Sequence, residues 1–468
     1  MIQNVTHIRI GIAIGLCCGC LGLGGLTARA APSVYPTGTT IFEPDLTWSG
    51  FTLIDTNDNQ GAVLLDMNGR VVKHWPGIDV MPGPFRILPG GYVMGGTTER
   101  RPHQEAVALR QLDFGGNEVW RFDRTEQVRL QNGETVWAAR QHHDWQREGS
   151  PAGYYAPGSA PLVDRGRTLI LAHKNVTRPE ISDKRLEDDY LLEVSWDGEV
   201  LWDWLASDHV DEFGFSEDAR NAIYRSVQFS EARQSADWIH INSASYIGPN
   251  RWYDAGDMRF HPENVIISMR GASIIAIIDR EGEVVWRMGP DYRETPALEA
   301  LGQIIGQHHP HIIPEGLPGA GNLLVFDNGG AAGYGFANPA APNGVNAVQR
   351  DYSRVLEIDP QTFESIWEYS IGGTERFRFF SHYVSSAQRL PNGNTMIVEG
   401  ADGRVFELTP EREIVWEYVS PYFAENPPTR NHMFRAYRVP YEWVPQIDPP
   451  EERAVIPPNP RDFKIAPQ

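Results

Sequence analysis

The sequence predicts an all-β fold, a six-bladed β-propeller with loop insertions over one face. The prediction rests on two repeated patterns. The first pattern is an alternating strand, a polar or glycine-containing turn and a second strand that ends in tryptophan. Its copies are residues 62–75, 106–120, 190–202, 273–286, 353–367 and 403–416. The second pattern is a polar or histidine-containing start followed by a Leu-Pro turn and an apolar strand, as in 85–95, 308–329 and 382–400.

Each copy of the first pattern is typical of a β-hairpin. The period-two alternation places one face on the core, and the turns contain Asn-Gly, Asp-Gly, Glu-Gly or Asp-Pro. The recurring tryptophans are expected to pack between adjacent blades as structural residues. The second pattern supplies the innermost strands, which start near the propeller axis. Side chains just ahead of those strands are therefore expected to converge on the central channel.

Residues 50–55 are expected to pair with 434–439 and so close the ring, which leaves no exposed sheet edge. The wide spacing between some of the tryptophans requires insertions, for which the candidates are 127–162, 207–236, 290–306 and 330–351. The propeller is predicted to span residues 31–446. A proline-rich C-terminal tail, 447–468, is expected to lie on its surface.

Residues 1–30 are typical of a secretory signal peptide. Arg9 precedes an apolar stretch, and Ala28-Arg29-Ala30 is a small-x-small cleavage site, so we expect cleavage after Ala30 and a periplasmic protein. A retained anchor stays open, because the apolar stretch approaches the length that spans a membrane. The three cysteines (Cys17, Cys18 and Cys20) all lie in this segment. The mature chain is thus expected to contain no disulfide and no catalytic thiolate.

The net charge of −20 argues against a nucleic-acid partner, since phosphate contacts need clustered lysine and arginine. An anionic substrate would need a local positive pocket on this acidic protein. We expect no membrane partner once the signal peptide is removed, and the sequence leaves a homodimer open.

Several histidines occupy the same position in successive repeats, just ahead of a predicted inner strand, in four blades. They are His142 and His143, His240, the group His308, His309 and His311, and His382. Imidazoles at a channel can bind water, ligate a metal, or act as nucleophiles and acid–base groups. A metal-assisted hydrolase or lyase using His142, His143, His308, His309 and His311 is therefore one alternative. A non-catalytic, ligand-binding propeller is another.

From about residue 38 to 440 the chain resembles the bacterial aryl-sulfate sulfotransferases. The matching stretches are 39–53, 237–243 (DWIHINS), 265–271 (VIISMRG), 306–308 (GQH), 325–329 (VFDNG), 381–388 (SHYVSSAQ) and 431–438 (NHMFRAYR). The resemblance implies transfer of a sulfuryl group from a phenolic sulfate ester to a phenol, without a nucleotide donor, a metal or another cofactor. Its small-molecule partners are then an aryl sulfate and a phenol.

By this resemblance His382 is the nucleophile that carries the sulfuryl group, and His240 and His308 flank that group. Sulfuryl transfer is analogous to phosphoryl transfer, in which charge spreads over the equatorial oxygens. Arg270 and Arg435 are candidates to bind those oxygens with a planar guanidinium. Asn328, His143, His309 and His311 complete the predicted substrate-binding set. Family members carry an arginine shortly after Asp-Asn-Gly, whereas residues 329–335 here contain none.

Overall fold

The computed structural model describes residues 36–457, except 59, 79–82, 98–104, 130–132, 232–233 and 426–428. The predicted signal peptide, its three cysteines and the end of the predicted tail lie outside the described residues. Within them, no helix is long and apolar enough to cross a membrane.

The described chain is built mainly of β-strands. In the first half they are β1 (Gly38–Phe42), β2 (Phe51–Asp55), β3 (Ala62–Leu65), β4 (Val71–Trp75), β5 (Arg86–Leu88), β6 (Tyr92–Thr97), β7 (Ala108–Leu112), β8 (Glu118–Phe122), β9 (Glu126–Arg129), β10 (Thr135–Ala138), β11 (Gln141–Arg147), β12 (Thr168–Val176), β13 (Leu186–Val194), β14 (Val200–Leu205), β15 (Gln228–Ser230) and β16 (Ser235–Asp237).

The second half continues the same pattern. Its strands are β17 (Ile241–Tyr246), β18 (Val265–Met269), β19 (Ile274–Ile278), β20 (Val284–Met288), β21 (His308–Ile312), β22 (Leu323–Asp327), β23 (Ala332–Tyr334), β24 (Val345–Val348), β25 (Arg354–Ile358), β26 (Ser365–Tyr369), β27 (Ser386–Arg389), β28 (Thr395–Glu399), β29 (Arg404–Leu408), β30 (Ile414–Val419) and β31 (Ala436–Val439). The helices are α1 (Glu217–Ser226), α2 (Arg251–Asp254) and α3 (Pro296–Leu301), with short 3₁₀ turns at Ala206–His209, Met258–Phe260, Gly373–Arg378, Gly400–Asp402 and Tyr441–Trp443.

Six antiparallel sheets form the blades, which confirms the predicted six-bladed propeller. From the axis outward, blade 1 is β31-β2-β3-β4, blade 2 is β5 to β8, blade 3 is β11 to β14, blade 4 is β17 to β20, blade 5 is β21-β22-β25-β26, and blade 6 is β27 to β30 with β1 outermost. All six predicted hairpins form, and each supplies the third and fourth strands of a blade, counted from the axis. Apolar side chains between neighbouring blades make up the core.

The ring closes at two places. β2 pairs with β31, with Phe51 opposite Val439, as predicted. In addition, β1 pairs with β30 at the outer edge of blade 6. Part of the predicted tail extends this second closure, because Phe42 forms an antiparallel bridge with Val455. Both ends of the propeller are therefore tied into sheets made by the opposite end of the chain.

A repeated hydrogen bond joins each blade to the next. The indole Nε1 of the tryptophan at the end of each hairpin donates to a backbone oxygen in the hairpin turn of the following blade. The six bonds run from Trp75 to Asp113, Trp120 to Trp196, Trp202 to Arg280, Trp286 to Pro360, Trp367 to Pro410 and Trp416 to Met67, with N···O distances of 2.8–3.2 Å. The tryptophans are thus structural, as their recurrence predicts.

Trp416→Phe tests the bond that crosses the ring closure. The substitution removes the donor to the Met67 carbonyl, which is buried, so we expect the free energy of unfolding to fall by roughly 1–3 kcal/mol. Denaturant unfolding measures the change. Trp367→Phe is the matched control, because its bond to Pro410 is exposed to solvent and its loss should cost less. Equal losses for the two variants would contradict a role for buried inter-blade bonds.

The insertions differ from the expectation in one respect. Most of them lie on the face where the innermost strands begin, called the entry face below, and there α1 packs against β23 and β24. The segment predicted as one insertion at 127–162 instead contains inner strand β11. Residues 148–166 after it lie on the opposite face, where Pro157 approaches Gly316. A polar inner strand rich in histidine has little of the hydrophobic alternation that identifies a strand.

Candidate active site at the entry face

The inner strands of four blades begin with a backbone distortion. A residue in the left-handed conformation marks each start: His143 (φ +53°), His240 (φ +53°), His309 (φ +51°) and Val384 (φ +52°). Such a conformation is costly for residues other than glycine, and for β-branched Val384 above all, and it concentrates at functional sites. Register shifts accompany it in blades 3, 4 and 5.

The left-handed residue is an equivalent point in the four blades, from which the positions of the channel histidines can be counted. Counted in this way, the histidines do not occupy equivalent positions. His240 and His309 occupy the left-handed position, whereas His308 precedes it by one residue and His382 precedes Val384 by two. The expectation of one repeated histidine position is therefore too simple. The bulges turn successive residues in different directions, so sequence spacing alone does not tell which imidazoles meet.

His240 is held by a carboxylate. Its Nδ1 lies 2.5 Å from Oδ2 of Asp237, and its side chain is 25% exposed, so Nε2 is the nitrogen left for a ligand. The His143 ring packs edge-on against it, with ring centroids 4.7 Å apart. The backbone N–H of Arg270 donates to the His240 carbonyl at 3.0 Å. An oriented Asp–His pair at an opening suits acid–base chemistry.

His308 is buried and oriented by Asn328. The amide Nδ2 of Asn328 donates to the carbonyls of Ser381 (2.7 Å) and Val384 (2.9 Å), so its Oδ1 accepts from Nδ1 of His308 at 2.7 Å. The same amide thus connects His308 of blade 5 to the loop that carries His382 ahead of blade 6. Nε2 of His308 is left without a proton in the neutral ring.

The charge state of His308 follows from its surroundings. Burial, together with the guanidinium groups of Arg270 and Arg435, holds the pKa of His308 well below its usual value. In the free protein His308 is therefore a neutral acceptor.

His382 is exposed at the entry face, and no other described side chain forms a hydrogen bond with its ring. Partial burial and the positive charges of Arg430 and Arg270 lower its pKa. A neutral imidazole with unoccupied nitrogens is available for nucleophilic attack at neutral pH.

Arg270 is a guanidinium that lies near Asp237 but forms an ion pair with none of the described carboxylates. Within the described part of the chain its side chain forms no ion pair or hydrogen bond, although burial lowers its pKa and Asp237 opposes that effect. Its charge influences both His308 and His382. The β23–β24 hairpin lies over the same turn, since the Gly333 N–H donates to the Gly271 carbonyl at 2.9 Å. Arg270 is thus a positive group available to an anion.

Arg435, the other arginine predicted to bind sulfate, is already paired. It donates to Asp144 Oδ2 and to the Asn242 carbonyl, each at 2.9 Å. Asp144 also binds Arg86 at 2.7 Å, so the three side chains form a buried ionic group on the channel axis. This arrangement joins blades 1 to 4 and leaves Arg435 no open face for substrate.

His309 and His311 lie deeper in the channel. Neither side chain is exposed. Nε2 of His311 lies 2.9 Å from the hydroxyl of Tyr154, which the far-face segment inserts into the channel. His309 contacts the rings of His311 and Tyr437. These two predicted substrate-binding residues therefore contact protein groups, and the channel is filled below the entry face.

The predicted site is therefore divided. His240, His308, His382, Arg270 and Asn328 are linked at the entry face, whereas Arg435, His309 and His311 lie in the filled channel and His143 lies behind His240. Sequence reasoning missed Asp237 and Arg430. Asp237 stands three residues before His240, inside the motif that was recognised, and was the easier of the two to find. Arg430 comes from the loop that connects β30 of blade 6 to β31 of blade 1, and no sequence motif marks it.

The predicted metal-ligand set is not brought together. The potential ligand groups that meet among the described residues are His142 with His173 and Asp189, and His173 with Glu105 and Glu187. His308, His309 and His311 belong to neither. The register shift of β21 separates His308, which lies at the entry face, from His309 and His311, whose rings contact each other deeper in the channel.

A cavity of about 710 Å³ lies on the far face. Its lining includes Pro157, Pro249 and Pro314 but no histidine, and its one arginine, Arg167, is paired with Glu193 and Glu263. The groups suited to anion chemistry are thus at the entry face and not in this cavity.

The fold and the site define a six-bladed propeller whose axial entry presents imidazoles beside an unpaired guanidinium. The model of the arylsulfotransferase (ASST) family matches residues 47–419. The chain belongs to the arylsulfotransferase family, as the sequence motifs indicate. This membership supports an aryl sulfotransferase activity with aryl sulfates and phenols as small-molecule substrates. No curated protein matches the sequence.

Solved structures are similar only at a distance. A protein of unknown function from Bacteroides caccae is 12% identical with a TM-score of 0.41, over 84% of this chain and 99% of that one. Apo AztD from Citrobacter koseri is 8% identical with a TM-score of 0.34, over 84% and 98%. The Dos1 propeller is 10% identical with a TM-score of 0.34, over 84% and 74%.

Proposed function

We propose that this protein transfers a sulfuryl group from a phenolic sulfate ester to a phenol through a sulfo-histidine on His382. The observation that carries the proposal is the unpaired guanidinium of Arg270 beside the imidazoles of His240, His308 and His382. In a protein with a net charge of −20, this entrance is a place where Arg270 offers an anion a positive charge that is not in an ion pair with a described residue. It is the kind of site that an anionic ester requires.

In the first half-reaction a ring nitrogen of His382 attacks the sulfur atom. The bond between sulfur and the phenolic oxygen breaks, and its electron pair stays on that oxygen. A proton held on Nε2 of His240 passes to the oxygen, because a phenol has a pKa of about 10 and leaves poorly as the anion. Asp237 holds Nδ1 of His240 at 2.5 Å and so orients the ring for this step. The products are a free phenol and the sulfo-histidine.

The second half-reaction reverses these roles. The acceptor phenol gives its proton to Nε2 of His240, its oxygen forms the new bond to sulfur, and the N–S bond breaks with its electron pair returning to His382. Arg270 contributes by balancing the charge on the sulfuryl oxygens in both steps. Tyr154 enters the channel from the far face and contacts His311. This favours one entrance, at the entry face, which the donor and the acceptor use in turn.

Exposed aromatic side chains support aromatic substrates. Among the described residues, the exposed aromatic side chains all lie in segments of the entry face. They are Trp137, Tyr224, Phe229, Phe336 and Phe377. Most of the exposed aliphatic side chains lie instead on outer strands, as with Val71 and Ile366. Aromatic rings stack on one another at little cost, so a surrounding of this kind favours substrates with aromatic rings.

The activity is tested with p-nitrophenyl sulfate as donor and phenol as acceptor, in buffer with a chelator and without nucleotides. We expect p-nitrophenol release to require the acceptor and a new phenyl sulfate to appear in equal amount. Release of inorganic sulfate without an acceptor would identify a sulfatase. No release with any aryl sulfate tried would contradict the proposal.

The protonation of His382 is expected to set how kcat/KM falls at low pH. The nucleophile must be neutral, so kcat/KM should fall as the pH drops through the pKa of His382, which lies below its usual value of about 6.5. Arg430→Gln removes a positive charge that lowers this pKa, so the acid limb should move to higher pH. The profile of the free enzyme, measured at low substrate concentration, shows the shift. Arg376→Gln, an exposed arginine paired with Asp351, is the control that should leave the limb in place.

A further inference from the structure

A cluster of buried ligand groups lies in blade 3, behind the proposed active site. His142, His173 and Asp189 come from the adjacent strands β11, β12 and β13, and none of the three is more than 4% exposed. Nε2 of His142 lies 3.3 Å from Oδ1 of Asp189, and Nε2 of His173 lies 3.9 Å from the same oxygen. The proposed transfer reaction uses none of these residues.

The Nδ1 atoms of His173 and His142 have contacts on the side of each ring that faces away from Asp189. Nδ1 of His173 lies 2.8 Å from Oε1 of Glu105, so this nitrogen carries the proton and Nε2 presents a lone pair. A carboxylate behind a histidine in this way is typical of a metal ligand. Nδ1 of His142 lies 2.8 Å from Nδ1 of His143. Both histidines thus turn Nε2 toward Asp189.

The atoms at the centre of the cluster lack hydrogen-bond partners. Oδ1 of Asp189 and Nε2 of His142 form no hydrogen bond, although both are buried, and only Oδ2 of Asp189 accepts from a backbone N–H, that of Ile241. A buried polar atom without a partner is costly and calls for an explanation. A cation held between these atoms supplies one.

The charges in blade 3 also favour a cation. β13 carries three successive buried carboxylates, Glu187, Asp188 and Asp189. Arg140 forms ion pairs with both Glu187 and Glu105. Within the described residues the ion-pair partners of Asp189 are the two histidines.

We propose that His142, His173 and Asp189 bind one divalent transition-metal ion, with Glu105 orienting His173. Two imidazole nitrogens and one carboxylate oxygen form a set that suits Zn²⁺. Ligand atoms about 2.1 Å from a tetrahedral ion lie roughly 3.4 Å apart, close to the shorter spacing here. The proposal stands independently of sulfuryl transfer.

Binding requires a local movement. The rings of His142 and His173 are stacked, with centroids 3.6 Å apart and planes 16° from parallel. Two imidazoles that point Nε2 at one ion lie farther apart than this, so one ring must turn out of the stack. A bound ion would also place the proton of His142 on Nδ1, facing His143, which contacts His240.

The first experiment measures metal content and affinity. Protein purified without a histidine tag is freed of metal with a chelator, equilibrated with micromolar Zn²⁺ and assayed by mass spectrometry for bound zinc. We expect one ion per chain in the wild type and at least a tenfold weaker affinity for Asp189→Asn and for His173→Gln. His209→Gln is the matched control, since this surface histidine is also paired with a carboxylate, Glu212, and its removal should change nothing.

Zinc absent from the wild type, or bound equally by the control, Asp189→Asn and His173→Gln, would overturn the proposal. If these variants do not fold, anomalous diffraction at the zinc edge from wild-type crystals decides: a peak among the two Nε2 atoms and Oδ1 supports the site, and its absence or a peak elsewhere overturns it. Neither readout depends on turnover. A failed sulfotransferase assay therefore leaves the metal result standing, and the reverse also holds.

Discussion

His382→Ala is expected to lower kcat for sulfuryl transfer by at least about 10³-fold, because it removes the atom that forms the covalent intermediate. The ring of His382 is exposed and forms no hydrogen bond with another described side chain. Its removal should therefore leave the fold and the stability almost unchanged. Steady-state rates with p-nitrophenyl sulfate and phenol measure the loss, and circular dichroism checks the fold.

The identity of the nucleophile needs a direct readout. Enzyme mixed with the donor alone should accumulate the sulfo group on the peptide that contains His382, seen by mass spectrometry after quenching at high pH. His261→Ala, on the far face, is the control and should keep both the activity and the modified peptide. A modified peptide containing His308, whose Nε2 also lacks a proton, would move the nucleophile to blade 5. Near-normal transfer by His382→Ala would exclude a covalent step at this residue.

The propeller could be predicted because its information is local and repeated. Each hairpin carries its own turn residues and ends in a tryptophan such as Trp286, and the structure uses every one of these in the same bond to the next blade. Ring closure followed from the two strands left over at the ends of the chain. The polar strand β11 was missed because buried charged and histidine side chains replace the usual alternation.

The site could be predicted only in part, because its geometry depends on features without a local pattern. The motif identified His240, but the bulges that turn His309 and His311 into the filled channel leave no mark in the sequence. Arg270 and Arg435 look equivalent as isolated arginines. Only the folded chain shows that Arg435 forms an ion pair with Asp144, whereas Arg270 forms one with no carboxylate among the residues that the structure describes.

The difference between these two arginines makes the second prediction. Arg270→Met is expected to lower kcat/KM for the aryl sulfate by about 10²–10³-fold, the usual loss when one charge-stabilising donor is removed from a transition state. Because Arg270 has no protein partner among the described residues, its removal leaves no carboxylate unpaired and should cost little stability. Arg270→Lys should recover part of the rate, since it restores the charge but not the planar pair of donors.

Arg435→Met is the matched comparison and should behave in the opposite way. It leaves Asp144 with one cation in place of two, so stability falls, and it removes one of the charges that lower the pKa of His308. Inhibition by inorganic sulfate adds a readout that a structural role would not change: Arg270→Met should weaken it, while Arg435→Met, assayed where it is folded, should not. An Arg270→Met enzyme with near-normal kcat/KM and sulfate inhibition would show that the unpaired guanidinium does not contact the transferred group. The positive charge at the entry would then have to come from Arg430.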